Sequence, residues 1–192
     1  GRFPSQSRAR WWAGGAGLIA AAAALLMLLR PGVSPDGDEG WQSKGGTLDF
    51  ELWIHDGDKA RPVGSGEVVH PGDRVGFRVH LHEPGHVAVV GVDGQGRAYV
   101  GYPQAAGGRA IRLAATAVPV ALDQALRFDK ALGWERIVAL HCPFEFTLER
   151  LTGQLQALGA RLSPDEHLPL LLPGCRQREV ILRKEAPTDA VR

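Results

Sequence analysis

The chain has 192 residues, 44% of them hydrophobic, and 22 Lys and Arg against 21 Asp and Glu, a formal net charge of +1. A nucleic-acid-binding surface needs a basic excess, and none is present, so no nucleic-acid partner is expected. Two cysteines in a chain of this length exclude a small disulfide-dense scaffold.

The first element is WWAGGAGLIAAAAALLMLL, Trp11 to Leu29, nineteen residues without a charge between Arg8 and Arg10 on one side and Arg30 on the other. As a helix it is about 28 Å long, close to the roughly 30 Å hydrocarbon core of a bilayer. Its apolar body is carried by Leu18, Ile19, Leu25, Leu26, Met27, Leu28 and Leu29, and no turn offers a polar stripe. Trp11 and Trp12 suit the headgroup level, where an amphipathic ring is at home. A cleaved signal peptide is the nearer rival, but its apolar stretch is usually only about 7–15 residues, and the leucines occupy the place of an Ala-x-Ala cleavage site. A retained single-pass anchor in the lipid bilayer is therefore expected.

Arg2, Arg8 and Arg10 precede the span, whereas Asp36, Asp38 and Glu39 follow it, and the positive-inside rule puts residues 1–10 in the cytoplasm as a short tail. The remainder is expected outside. The chain opens on Gly1 rather than Met, so a fragment or a processed form is expected. Every acidic residue follows the span, which leaves that part slightly negative.

Residues 30–46, including PGVSPDGDEGWQSKGG, are rich in Pro, Gly and acids and read as a flexible linker. One domain is expected over 47–185, large enough to bury a real core, with 186–192 as a disordered tail. TLDFELWI, Thr47 to Ile54, alternates apolar and acidic residues as a strand does, leaving Trp53 as an exposed aromatic. Short strands follow at Glu67 to His70 and Arg74 to His82, divided by a Pro71-Gly72-Asp73 turn. Val75, Phe77, Val79 and Leu81 share one face. His86 to Val92 and Arg97 to Tyr102 flank Asp93-Gly94-Gln95-Gly96 as a hairpin.

Strands are also expected at Ala110 to Leu113, Val118 to Leu122, Arg136 to Cys142 and Glu179 to Arg183, and Phe146 to Leu158 carries leucines at helical spacing. The fold class is thus mainly β (α+β): an antiparallel β-sandwich or open barrel with one late helix, after an N-terminal transmembrane helix.

The order of one span, an acidic linker, GEVVHPGDRVGFRV, a Val-Asp-Gly hairpin ending in Tyr102-Pro103, then WERIVALHCP and a late helix resembles a family of uncharacterised bacterial envelope proteins. The resemblance covers most of Thr47 to Arg183. It implies an extracytoplasmic β domain tethered to the bacterial inner membrane, with the domain periplasmic. Some members are similar to anti-sigma factors, which carry a cytoplasmic zinc-binding helical region before the span; this chain has no such region. The shared motifs are structural and carry over no catalytic residue.

Cys142 and Cys175 are an even pair, and in an oxidising compartment they invite a disulfide, with two buried free thiols as the alternative. His80 and His82 share a strand face, with His86 nearby and His141 beside Cys142. These are four potential metal ligands, but half-exposed polar positions explain them as well, and no metal or cofactor is expected. Asp56-Gly57-Asp58 and Asp93-Gly94-Gln95-Gly96 lack the later ligands of a calcium loop. GVDGQG sits between strands and cradles no phosphate. Ser65 and Ser163 lie in no nucleophile elbow, and Asp165, Glu166 and His167 read as a solvated turn.

No catalytic residue is therefore expected, and the leading expectation is a membrane-anchored sensory or interaction domain with a protein partner; the resemblance implies that it is part of an anti-sigma-type regulator. Trp41, Trp53, Tyr99, Tyr102 and Trp134 are candidate aromatic contacts. The alternatives are an envelope hydrolase using Cys142 with His141 or the His80 and His82 pair, and a purely structural envelope subunit.

Overall fold

The computed structural model describes residues 48–56, 59–104, 108–159 and 161–187. The expected N-terminal tail, span and linker, with Trp41, Gly57 and Asp58, and residues 188–192 of the expected C-terminal tail lie outside the described residues. Among the described residues no helix is long and apolar enough to cross a membrane.

Among the described residues ten strands and one helix follow in order: β1 Leu48–Asp56, β2 Lys59–Val63, β3 Val68–Val69, β4 Arg74–Leu81, β5 Gly85–Asp93, β6 Ala98–Tyr102, β7 Ile111–Leu113, β8 Val120–Arg127, β9 Gly133–Cys142, α1 Leu148–Gly159 and β10 Arg176–Lys184. The first sheet has the order β2-β1-β4-β8, and the second runs β3-β10-β9-β5-β6. β7 pairs with the start of β5 at Gly85 to Val87, and β6 pairs with its end at Val89 to Val92. The protein is mainly β and sandwich-like.

In β4 the alternation of RVGFRVHL becomes alternating burial, with Val75, Phe77, Val79 and Leu81 inward. Those residues meet Leu48, Leu52 and Ile54 of β1 and, from the second sheet, Val87, Val89, Ile137, Ala139 and Leu182. β5 and β9 are almost wholly buried, because each also presents an apolar outer face. Ala88, Val90, Val92, Val138, Leu140 and Cys142 form that face, and Leu148, Leu151 and Leu155 of α1 pack on it. The result is three layers: sheet, sheet, helix. Gly159 lets the helix end lie against β5, since a Cβ there would collide with the Val92 side chain.

Several expectations need correction. The sheets are not purely antiparallel: β3 runs parallel to β10. β2 has no strand signature in the sequence, because KARPV does not alternate and buries only Val63, and its Pro62 is tolerated only on an edge strand. β8 continues to Arg127 because Leu126 and Ala125 pair with Val75 and Gly76 of β4. β9 and β10 are longer than expected, pairing from Gly133 with Lys184 to His141 with Arg176. Trp53 is not freely exposed but half-buried, with the Arg78 guanidinium 4.9 Å from its ring centre.

Candidate functional site

The β1–β4 register places Asp49 opposite His80 and Leu48 opposite Leu81. Because Leu48 and Leu81 turn into the core, strand alternation carries Asp49 and His80 to the outer face of the first sheet, while β4 ends at Leu81, one residue short of the expected strand, and His82 lies just past it. There Asp49 Oδ2 lies 3.2 Å from His80 Nδ1 and 3.3 Å from His82 Nε2. The two imidazole rings are 4.3 Å apart, centre to centre. One carboxylate oxygen thus faces a nitrogen from each ring. His80 is the more buried of the two, with 20% of its side chain exposed against 47% for His82 and 57% for Asp49.

His86 and His141 do not join this group. His86 lies on β5 opposite Cys142 and Arg112, and His141 lies on β9 opposite Val87. Sequence spacing found the two histidines, but Asp49 stands 31 residues from His80, and only strand pairing reveals it.

A second feature is a cleft of about 430 Å³ lined by Glu83, Pro84, His141, Pro143, Gly174 and Arg176. Burial pulls the His141 pKa below its ordinary value, although the Glu83 charge and the backbone of Glu83 and Pro84 oppose it. Its Nε2 has no hydrogen-bond partner among the described residues. Cys142 and Cys175 are joined in a disulfide. Neighbours on a strand point to opposite faces, so His141 belongs to the side of Val87 and Ala139 while Cys142 enters the core under α1. An imidazole–thiol pair is therefore not formed.

A third feature is a chain of charges at one end of the second sheet. Arg97 donates to Asp93 and Asp129, and Lys184 donates to Asp129 at 2.6 Å while lying 2.8 Å from Glu135. The Tyr99 hydroxyl is buried here, and burial first, then the Glu135 charge, pushes its pKa well up. Asp93 also accepts from the backbone of Gln95 and Arg97, so its carboxylate is consumed in closing the hairpin turn.

The remaining candidates serve the fold. Ser65 Oγ accepts from Ile181 N, and Glu166 Oε2 accepts from Ser163 N. The Arg136 guanidinium is fully buried and donates to Glu179 Oε2 and to the carbonyls of Ser163 and Glu166, which pins the 161–167 loop. Tyr102 is a core residue, whereas Tyr99 and Trp134 are half-buried. No family model matches this chain, and no curated protein matches it.

Proposed function

We propose that the chain is a single-pass, membrane-anchored protein of the bacterial inner membrane whose β domain lies outside the cytoplasm and binds a protein partner, relaying that event across the span as an anti-sigma-type regulator does. The observation that carries this reading is the Cys142–Cys175 disulfide, which fastens β9 to the segment between α1 and β10. Such bonds persist in oxidising compartments and are rare in the cytosol. The uncharged run from Trp11 to Leu29 supports the same placement. The opposed faces of His141 and Cys142, and the commitment of that sulfur to a disulfide, weigh against thiol hydrolysis.

For the contact surface, β8 is the best supported element. It is an edge strand of the first sheet, and Val118 just before it and Val120 at its start are exposed. An edge with unpaired backbone groups accepts a strand from another chain. The reading is tested by fusing alkaline phosphatase or green fluorescent protein to the C-terminus of the full chain in a bacterium. Phosphatase activity with no fluorescence is expected; a fluorescent, phosphatase-inactive pair overturns the placement.

A further inference from the structure

We infer that Asp49, His80 and His82 form a binding site for one divalent transition-metal ion of the zinc class on the outer face of the first sheet. The donor atoms all lie within 4.8 Å of one another. Zinc bonds of about 2.0–2.1 Å at tetrahedral angles put neighbouring donors about 3.3 Å apart. Asp49 Oδ2 is 3.2 Å and 3.3 Å from the two imidazole nitrogens, so both separations match an edge of such a tetrahedron.

The donor chemistry narrows the ion. Two imidazoles and one carboxylate suit zinc, copper or nickel, whereas calcium and magnesium take oxygen donors. The frame is the end of the β1–β4 ladder, where Leu48 pairs with Leu81, Asp49 with His80 and Phe50 with Val79. The β1–β4 ladder fixes the Cα positions of Asp49 and His80 opposite each other, which limits the ordering left for the ion to impose. Three protein ligands leave a fourth position open, and the exposure of Asp49 and His82 turns it toward solvent. Water or a side chain of a partner would complete it. The site stands on β1–β4 geometry and does not depend on the proposed location of the domain.

The test is calorimetric titration of Zn²⁺ into the chelator-stripped full chain, with Mg²⁺ as the control ion. One Zn²⁺ per chain is expected, with no saturable Mg²⁺ binding. Asp49→Asn, His80→Ala and His82→Ala are each expected to weaken Zn²⁺ binding by at least about 10-fold, since even outer-shell losses reach that size. On the wild-type chain, which needs no variant to fold, Zn²⁺ should shift the imidazole proton resonances of His80 and His82. Those of His55, His70, His86, His141 and His167 should stay in place. Absence of saturable Zn²⁺ binding, wild-type affinity in the His80→Ala/His82→Ala double variant, or shifts confined to other histidines would each overturn the site.

Discussion

Lys184 Nζ lies 2.8 Å from Glu135 Oε2, with 1% and 3% of the two side chains exposed. Burial pushes the Glu135 pKa up, against the pull of Lys184 and Tyr99. Burial also draws the Lys184 pKa down, but the hydrogen bonds to Asp129 and Glu135 outweigh it and leave the ammonium charged. Removing the cation alone strands a carboxylate in the interior. Lys184→Met is therefore expected to cost about 3–5 kcal/mol in urea unfolding. Adding Glu135→Leu should recover much of that loss, and no recovery would show that the lysine acts through packing instead.

His141 gives the domain an acid-side sensitivity. Its folded pKa lies below the ordinary 6.5, so the unfolded chain binds more protons between the two values. By linkage, the contribution of this group is fully present above about pH 6.5 and is lost as pH falls through the depressed folded value. Melting temperatures measured from pH 7.5 downward should decline in that window. His141→Asn should flatten the decline, and an unchanged slope would assign it to other groups.

Two glycines should respond in opposite directions to alanine. A Cβ at Gly91 would collide with the Tyr99 ring, whereas at Gly153, on the exposed side of α1, it meets nothing within 4 Å. Gly91→Ala is expected to destabilise by about 1–3 kcal/mol through overpacking. Gly153→Ala should stabilise by about 0.5–1 kcal/mol through helix propensity. Chemical denaturation of both variants checks the pair.

The disulfide closes a segment of sequence separation 33. In the chain-entropy model its loss costs about 3–4 kcal/mol. The Cys142→Ala/Cys175→Ala variant should melt about 10 °C lower while keeping its β circular-dichroism signal. A melting point unchanged within error would mean that the unfolded chain is not restrained by the bond.

Much of the fold was legible because its strands obey period two. β1 and β4 face solvent on one side, so Leu48, Leu52, Val75, Phe77 and Val79 announce their own burial. β5 and β9 read as strands too, but their two-sided apolar character did not say that α1 covers the second face. That layer shows only in the contacts of Val90, Leu140 and Leu155. Long-range partners were the less legible part. Nothing in the sequence joins Asp49 to His80, or Lys184 to Glu135, because register and strand order decide which side chains meet. Likewise His141 and Cys142 looked like a dyad as neighbours, and it is strand alternation that parts them.

The most direct measurement is the redox state of Cys142 and Cys175 in the cell. The full chain would be expressed in a bacterium, its thiols trapped by rapid acid quenching, and free cysteines tagged with a heavy maleimide before and after reduction. An extracytoplasmic domain predicts no mass shift before reduction and a shift of two tags after it. Two tags on the unreduced chain would contradict the account.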